Sequence, residues 1–227
     1  MAIGIPSTIF VGSYTASVSP ITSTTTADAP AGTLVVISLA PFGGGSQLVT
    51  GVTDSAGGNT YQQASISTTV DNYPLQLWYS ILTNDLPSGG TITATGTWGG
   101  SGLAIPGVIG ISGAGAGLDQ HPTGTSSTGA VSTSIATGTL ASNSEIVIAS
   151  AVTLGAFGTW TEGAGFTSIA GLHFGVGSFA YQIVSATAPV TWAPSWQNST
   201  NFAASLASFK GTTSIVVSPI GLALAEY

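Results

Sequence analysis

The feature that most constrains the fold is a segment near the middle of the chain that recurs near its end. Residues 92–113 match residues 190–211 at a constant offset of 98 positions (190 − 92 = 98). Four residues recur unchanged, namely Thr93 as Thr191, Trp98 as Trp196, Ser101 as Ser199 and Gly113 as Gly211. Apolar type is kept at three further pairs, which are Ile92/Val190, Val108/Leu206 and Ile111/Phe209. The recurrence predicts a β unit that occurs twice, in residues 21–113 and 131–211.

Short apolar runs between Gly, Pro and Asp turns indicate that the repeated unit is built from strands. Residues 33–40 contain the run Leu-Val-Val-Ile, which is typical of a strand buried on both faces, and residues 145–152 resemble them in the second unit. In residues 75–82 the side chains of Leu75, Leu77, Tyr79 and Ile81 alternate onto one face of a strand. Tyr181 and Ile183 take the places of Tyr79 and Ile81 in the second unit. We therefore expect an all-β fold with about six strands in each half.

Two architectures fit a doubled β unit of this size. In the first, the halves interleave into one jelly-roll β-sandwich spanning residues 21–211, a fold that already contains two related Greek keys. In the second, the halves form separate sandwiches side by side. The domain size of all-β chains favours the single sandwich. Residues 114–130, rich in Gly, Ala, Ser and Thr, mark the boundary between the halves and lack the Pro-rich or charged character of an exposed linker.

Both ends of the chain lie outside the repeat. Residues 1–20 hold two apolar patches separated by Pro6 and read as an extended N-terminal arm. Residues 212–227 form an apolar C-terminal arm, and a free apolar segment favours packing on its own sheet or adding a strand to a neighbour. The predicted assembly contacts in this arm are the large apolar side chains Ile215, Val216, Val217, Ile220, Leu222 and Leu224.

Charge is the unusual property of the composition. Only 4% of the 227 residues are charged, the formal net charge is −7, and Lys210 is the sole basic side chain apart from two histidines. Phosphate recognition needs clustered Lys or Arg, so nucleic-acid binding is excluded, and anionic membranes are disfavoured for the same reason. The apolar runs are too short for a membrane span. So little charge predicts a surface covered by other subunits or solvated by Ser, Thr and Asn.

Residue types that support catalysis or metal binding are scarce. The chain has no cysteine, and His121 and His173 are its only histidines, with no nucleophile elbow and no metal-ligand spacing. Asp54 and Glu162 occupy equivalent turn positions, where a carboxylate caps backbone N–H groups more often than it binds calcium. We therefore expect a protein that is not an enzyme, with no catalytic residue, metal or cofactor.

Tryptophan supplies the remaining candidates for ligand binding. Trp98 and Trp196 recur with the repeat, and packing positions recur when a unit is doubled, so both are expected in the core. Trp160 and Trp192 are free of that argument, and an exposed indole on a β-sandwich can stack on a sugar ring. They are the candidate glycan-binding residues.

The runs at residues 33–40, 52–65, 75–80 and 201–211, taken in order over most of residues 20–211, resemble β-sandwich domains of virion surface proteins and bacterial surface proteins. The resemblance implies a structural subunit of a virus particle, such as a capsid, decoration, turret or spike protein on the outer capsid surface. Its implied partners are other virion subunits, copies of itself and host-surface glycans. The alternative function is a carbohydrate-binding or adhesin module.

Overall fold

The computed structural model describes residues 3–15, 19–41, 47–68, 74–98, 103–125, 129–153, 155, 158–169 and 177–212. These residues form antiparallel β-strands and turns, and no helix occurs among them. The predicted all-β class is confirmed. The Thr-, Val- and Ile-rich runs of the sequence suit strands, because β-branched side chains pack well on a pleated surface.

Two sheets make up the first half. Its eight strands are β1 Ser7–Thr15, β2 Ile21–Thr24, β3 Leu34–Pro41, β4 Val49–Asp54, β5 Gln62–Thr68, β6 Pro74–Ile81, β7 Thr91–Gly96 and β8 Leu103–Ile111. The large sheet has the order β1-β8-β3-β6-β5, and the small sheet has the order β2-β7-β4. The chain therefore passes repeatedly from one sheet to the other.

The second half repeats this plan with more strands, most of which are shorter. Its strands are β9 Ala114–Leu118, β10 Thr123–Thr125, β11 Ala130–Ser132, β12 Ile135–Ala136, β13 Glu145–Thr153, β14 Trp160–Thr161, β15 Thr167–Ser168, β16 Gly177–Val184, β17 Thr191–Trp192, β18 Ser195–Thr200 and β19 Phe202–Gly211. The large sheet has the order β10-β19-β13-β16-β15, with β9 also paired to β19. Two small sheets, β11-β18-β14 and β12-β17, take the place of the three-stranded sheet.

The strand registers confirm the internal repeat. Leu34 of β3 pairs with Ile111 of β8, and Ile146 of β13 pairs with Phe209 of β19. Tyr79 and Tyr181 likewise occupy matching places opposite β3 and β13. The offset of 98 positions between β8 and β19 therefore relates structurally equivalent residues.

The preference for one interleaved sandwich is wrong. Every hydrogen-bonded sheet among the described residues takes its strands from one half only. The alternative arrangement of two sandwiches is the one observed. Residues 114–130, which the sequence marks as a boundary, contribute β9 and β10 to the large sheet of the second half.

The two sandwiches pack against each other through their large sheets. One core lies between the two sheets of the first half, a second lies between the sheets of the second half, and a third joins the two large sheets. All eight residues of β3 and all nine of β13 are buried because each strand is covered on both faces. The prediction of a doubly buried strand at residues 33–40 is thus confirmed, although the second cover comes from the other half.

A pair of serines marks the symmetry of this central contact. Ser38 pairs with Gly107 on β8, and Ser150 pairs with Ser205 on β19. The two serines are equivalent because these partners are related by the repeat offset (205 − 107 = 98). Both side chains are fully buried, and their hydroxyl oxygens lie 2.7 Å apart in a hydrogen bond. A contact between equivalent residues lies on a twofold axis, so the halves meet as the subunits of a C2 dimer do.

The N-terminal segment differs from the extended arm that the sequence suggests. Residues Ser7–Thr15 form β1, the outermost strand of the first large sheet, and pair with β8. The backbone N–H of Gly4 also donates to the carbonyl oxygen of Ser112 at 2.9 Å. The described part of the arm is therefore a strand of the chain's own sheet.

Candidate functional site

The second half contains a group of tryptophans that includes both candidate glycan-binding residues. Trp192 is fully buried and Trp160 is 8% exposed. The ring of Trp160 stacks on that of Trp196 at 5.1 Å and 7°, while Phe166 packs at 6.2 Å from Trp192. A ring surrounded in this way presents no free face to a sugar, so the burial of Trp160 and Trp192 argues against their role as glycan-binding residues.

The recurring tryptophans lie in the core, as the repeat predicts. Trp98 is 3% and Trp196 is 5% exposed. They differ in one polar contact: the indole N–H of Trp196 donates to the carbonyl oxygen of Ala130 at 2.7 Å, whereas Nε1 of Trp98 is buried without a partner among the described residues. Equivalent packing is therefore combined with unequal hydrogen bonding.

This difference predicts an unequal response to the same substitution. Trp196→Phe leaves the carbonyl of Ala130 without its donor, whereas Trp98→Phe removes a buried donor that has no acceptor among the described residues. We expect Trp196→Phe to cost about 1 to 3 kcal/mol more than Trp98→Phe in the free energy of unfolding, measured by urea titration. The change in ring size is the same in both variants and serves as the internal control. Equal losses would contradict the prediction.

Asp54 ends β4 and organises the turn that follows. Its Oδ1 accepts the backbone N–H groups of Ala56 and Gly57 at 3.0 and 3.2 Å. Its Oδ2 accepts the side-chain N–H of Asn59 and the hydroxyl of Tyr61 at 2.8 and 2.9 Å. Burial and the neighbouring Asp54 carboxylate raise the pKa of the Tyr61 hydroxyl, which stays a neutral donor. Both oxygens are occupied, and the capping role predicted for Asp54 is confirmed.

Glu162 also binds donors of its own chain, but they come from distant residues rather than from its turn. Its Oε1 accepts the hydroxyls of Ser168 and Ser178, and its Oε2 accepts the indole N–H of Trp192 at 3.1 Å. Sequence reasoning assigned this carboxylate to a turn cap and missed the indole. No local signal connects the residues, because Trp192 lies 30 positions further along the chain.

His121 is the one predicted histidine that the structure describes, and His173 lies outside the described residues. His121 lines a shallow groove where β5 meets the segment that leads into β10, together with Gln63, Ser65, Ile66 and Thr123. The hydroxyl of Ser67 donates to the carbonyl oxygen of Gly124 at 2.9 Å and fixes β5 against β10. Within the described ranges, no group of three or more His, Asp or Glu residues is arranged to hold a metal ion.

The candidate assembly residues of the C-terminal arm, Ile215, Val216, Val217, Ile220, Leu222 and Leu224, lie outside the described residues. The residue that precedes them, Thr212, is described, and its backbone N–H donates to the carbonyl oxygen of Gly113 at 2.8 Å. Gly4 is held at the neighbouring Ser112. The two ends of the described chain therefore lie side by side at the end of β8.

A comparison with protein-family models, with curated proteins and with solved structures finds no match. Among the described residues, no helix is long and apolar enough to cross a membrane. The function therefore has to be argued from the fold and the surface.

Proposed function

We propose that this chain is a structural subunit of a virus particle, of the decoration, turret or spike type, that assembles with copies of itself on the outer capsid surface. The observation that carries the proposal is the strand order within each half. In the first half, β1-β8-β3-β6 faces β2-β7-β4. This strand order supports a jelly-roll winding, from which it departs in that β5 pairs with β6 instead of β4. Jelly rolls are common in viral capsid and lectin domains.

The surface supports a role in assembly. Outward-facing positions of the first small sheet are threonines: Thr22 and Thr24 of β2, Thr50 and Thr53 of β4, and Thr95 of β7 are exposed. Ser and Thr thus solvate a surface that has almost no charge. Burying a face of hydroxyl groups against a neighbour costs less free energy than burying a charged face, because no ion has to be desolvated.

The position of Thr212 beside the first described residues supports the same proposal. The C-terminal arm begins at Thr212, beside the N-terminal Gly4 and the partly buried Ile3. The sequence that follows Thr212 is apolar. It fits the addition of a strand or an apolar plug to that copy.

Removal of the C-terminal arm tests the proposal. We expect the full chain to form oligomers in size-exclusion chromatography with light scattering, and residues 1–212 to be monomeric, because truncation removes the apolar contacts. Cutting after Thr212 keeps its two hydrogen bonds to Gly113.

A full-length variant with Ile215, Val216 and Val217 replaced by serine is the matched control for chain length. It should behave as the truncated chain does. A full chain that is a stable monomer, with the truncated chain and the serine variant unchanged, would exclude assembly through this arm.

A further inference from the structure

A buried carboxylate lies at the start of β13, close to the chain's only lysine. The side chain of Glu145 is 0% exposed. Its Oε1 accepts the backbone N–H of Ser142 at 2.8 Å, and its Oε2 has no hydrogen-bond partner among the described residues. A buried carboxylate oxygen without a donor is costly when the group is ionised. The neutral acid carries a much smaller penalty.

The elements packed around Glu145 supply one acidic and one basic group. Lys210 is its cross-strand neighbour on β19, and the neighbour on β16 is the uncharged Val184. Asp119, just after β9, acts on Glu145 as a like charge. The loop before β13 contributes Ser142 and Ser144, which are uncharged. Glu145 therefore meets one opposing and one like charge from the surrounding elements.

These surroundings raise the pKa of the Glu145 carboxyl group. The largest cause is burial, and the negative charge of Asp119 adds to it. The Ser142 N–H and the positive charge of Lys210 act in the opposite direction, as does the Ser208 hydroxyl, which lies near the carboxyl group without a hydrogen bond to Oε2. These groups do not cancel the effect. Glu145 thus takes up a proton at a higher pH in the folded chain than in the unfolded chain.

A short loop contacts Glu145 and is hydrogen-bonded to two parts of the second half. The loop consists of residues 141–144 and is fixed by Glu145 through Ser142 and by Asp119, whose Oδ2 accepts the backbone N–H of Ala141 at 2.9 Å. Its Ser144 carbonyl oxygen accepts the N–H of Gly211 at 2.7 Å. The loop therefore also fastens the end of β19, immediately before the C-terminal arm.

We propose that Glu145 is a pH-responsive latch: the neutral acid can remain buried against the 141–144 loop and the end of β19, whereas the ionised carboxylate, with one oxygen that has no donor among the described residues, has to be hydrated, and this hydration loosens both. This latch does not depend on the proposed virion role, since it follows from the burial of Glu145, its unpartnered oxygen and the hydrogen-bonded loop.

The sign of the effect follows from linkage. Because the folded pKa lies above the unfolded pKa, the contribution of Glu145 to stability is fully present below the unfolded pKa, which is about 4.3 for glutamate. It is lost as the pH rises through the folded pKa. The latch therefore stabilises the protein in acid and weakens it towards neutral pH.

The test is calorimetry on the full chain between pH 3.5 and 8, comparing wild type with Glu145→Gln. We expect the variant to unfold about 2 to 4 °C above wild type at pH 7.5 and within about 1 °C of it at pH 4, since the amide cannot ionise. Glu226→Gln, the same change in the C-terminal arm, is the matched control. Its melting temperature should change between pH 4 and pH 7.5 by the same amount as that of wild type.

Two further measurements separate a latch from a merely structural residue. Lys210→Met removes a charge that favours ionised Glu145, so the fall in melting temperature with pH should shift to a higher pH. Hydrogen exchange, corrected for its intrinsic pH dependence, should show residues 141–145 and 209–212 exchanging faster in wild type at pH 7.5 than in Glu145→Gln. A melting difference between Glu145→Gln and wild type that is the same at every pH, or equal exchange in the two proteins, would overturn the proposal.

Discussion

Replacing Phe209 with alanine is expected to lower the free energy of unfolding by about 3 to 5 kcal/mol, the usual cost of deleting a large ring from a packed core. Phe209 is 1% exposed and lies in the core that joins the two large sheets. Its ring centre is 5.2 Å from that of Tyr79, which belongs to the other half. Its loss therefore weakens the contact that makes the two sandwiches one body. Urea unfolding followed by tryptophan fluorescence measures the effect.

Phe202→Ala is the matched control because it removes the same side chain from the same strand on the opposite face. Phe202 is buried in the core of the second half and packs edge-on to Trp196 at 5.2 Å. Both variants should lose comparable stability, but only Phe209→Ala should broaden the transition or divide it into two. If Phe209→Ala cost less than about 1 kcal/mol, or left cooperativity as in Phe202→Ala, the central contact would not couple the halves.

Replacing Asp54 with alanine is expected to cost about 2 to 4 kcal/mol, the second-largest loss. The carboxylate accepts four hydrogen bonds, from two backbone N–H groups, Asn59 and Tyr61, and hydrogen bonds to charged groups contribute more than neutral ones. Because Tyr61 is only 8% exposed, its hydroxyl would remain largely buried without an acceptor. Thermal or urea unfolding at neutral pH gives the loss.

Asp85→Ala is the control for the loss of a turn carboxylate. Asp85 is exposed, and its Oδ1 accepts the backbone N–H of Ala31 at 2.7 Å. We expect it to cost about 1 kcal/mol or less, in the range of an ordinary cap. Tyr61→Phe should recover part of the instability of Asp54→Ala in the double variant, since it removes the orphaned hydroxyl. Additive losses in that double variant would show that Tyr61 does not depend on Asp54.

The sequence predicts the features that depend on local pattern. Strands follow from β-branched runs between turn residues, and the cap at Asp54 follows from the turn that comes directly after it. The repeat could be recognised because Trp98 and Trp196 fill equivalent core positions, so packing kept the same residue type in both halves. The strand and cap signals each lie within a few neighbouring residues, and the repeat is visible as a constant spacing along the sequence.

Features that depend on which surfaces meet could not be predicted. A run such as Leu34 to Ile37 shows that a strand is covered on both faces, but not whether the second cover comes from its own sandwich or from the other half. The exposure of Trp160 and Trp192 was equally undetermined, since it depends on Trp196 and Phe166 packing around them. Glu145 gave no signal at all, because its burial arises from β19 and the 141–144 loop.

The hydrogen bond between Ser38 and Ser150 has a consequence for how such a chain can change. Two identical subunits meeting on a twofold axis must accept every substitution twice, whereas joining them in one chain lets each side vary alone. This chain already shows the result. Thr33 and Glu145 occupy the same place in the two halves, directly before the strand segments Leu34–Pro41 and Ile146–Thr153, yet one is a neutral hydroxyl and the other a buried acid. Because the two halves are covalently linked, a nearly symmetric structure can carry a buried acid in one half and a neutral side chain at the equivalent position of the other.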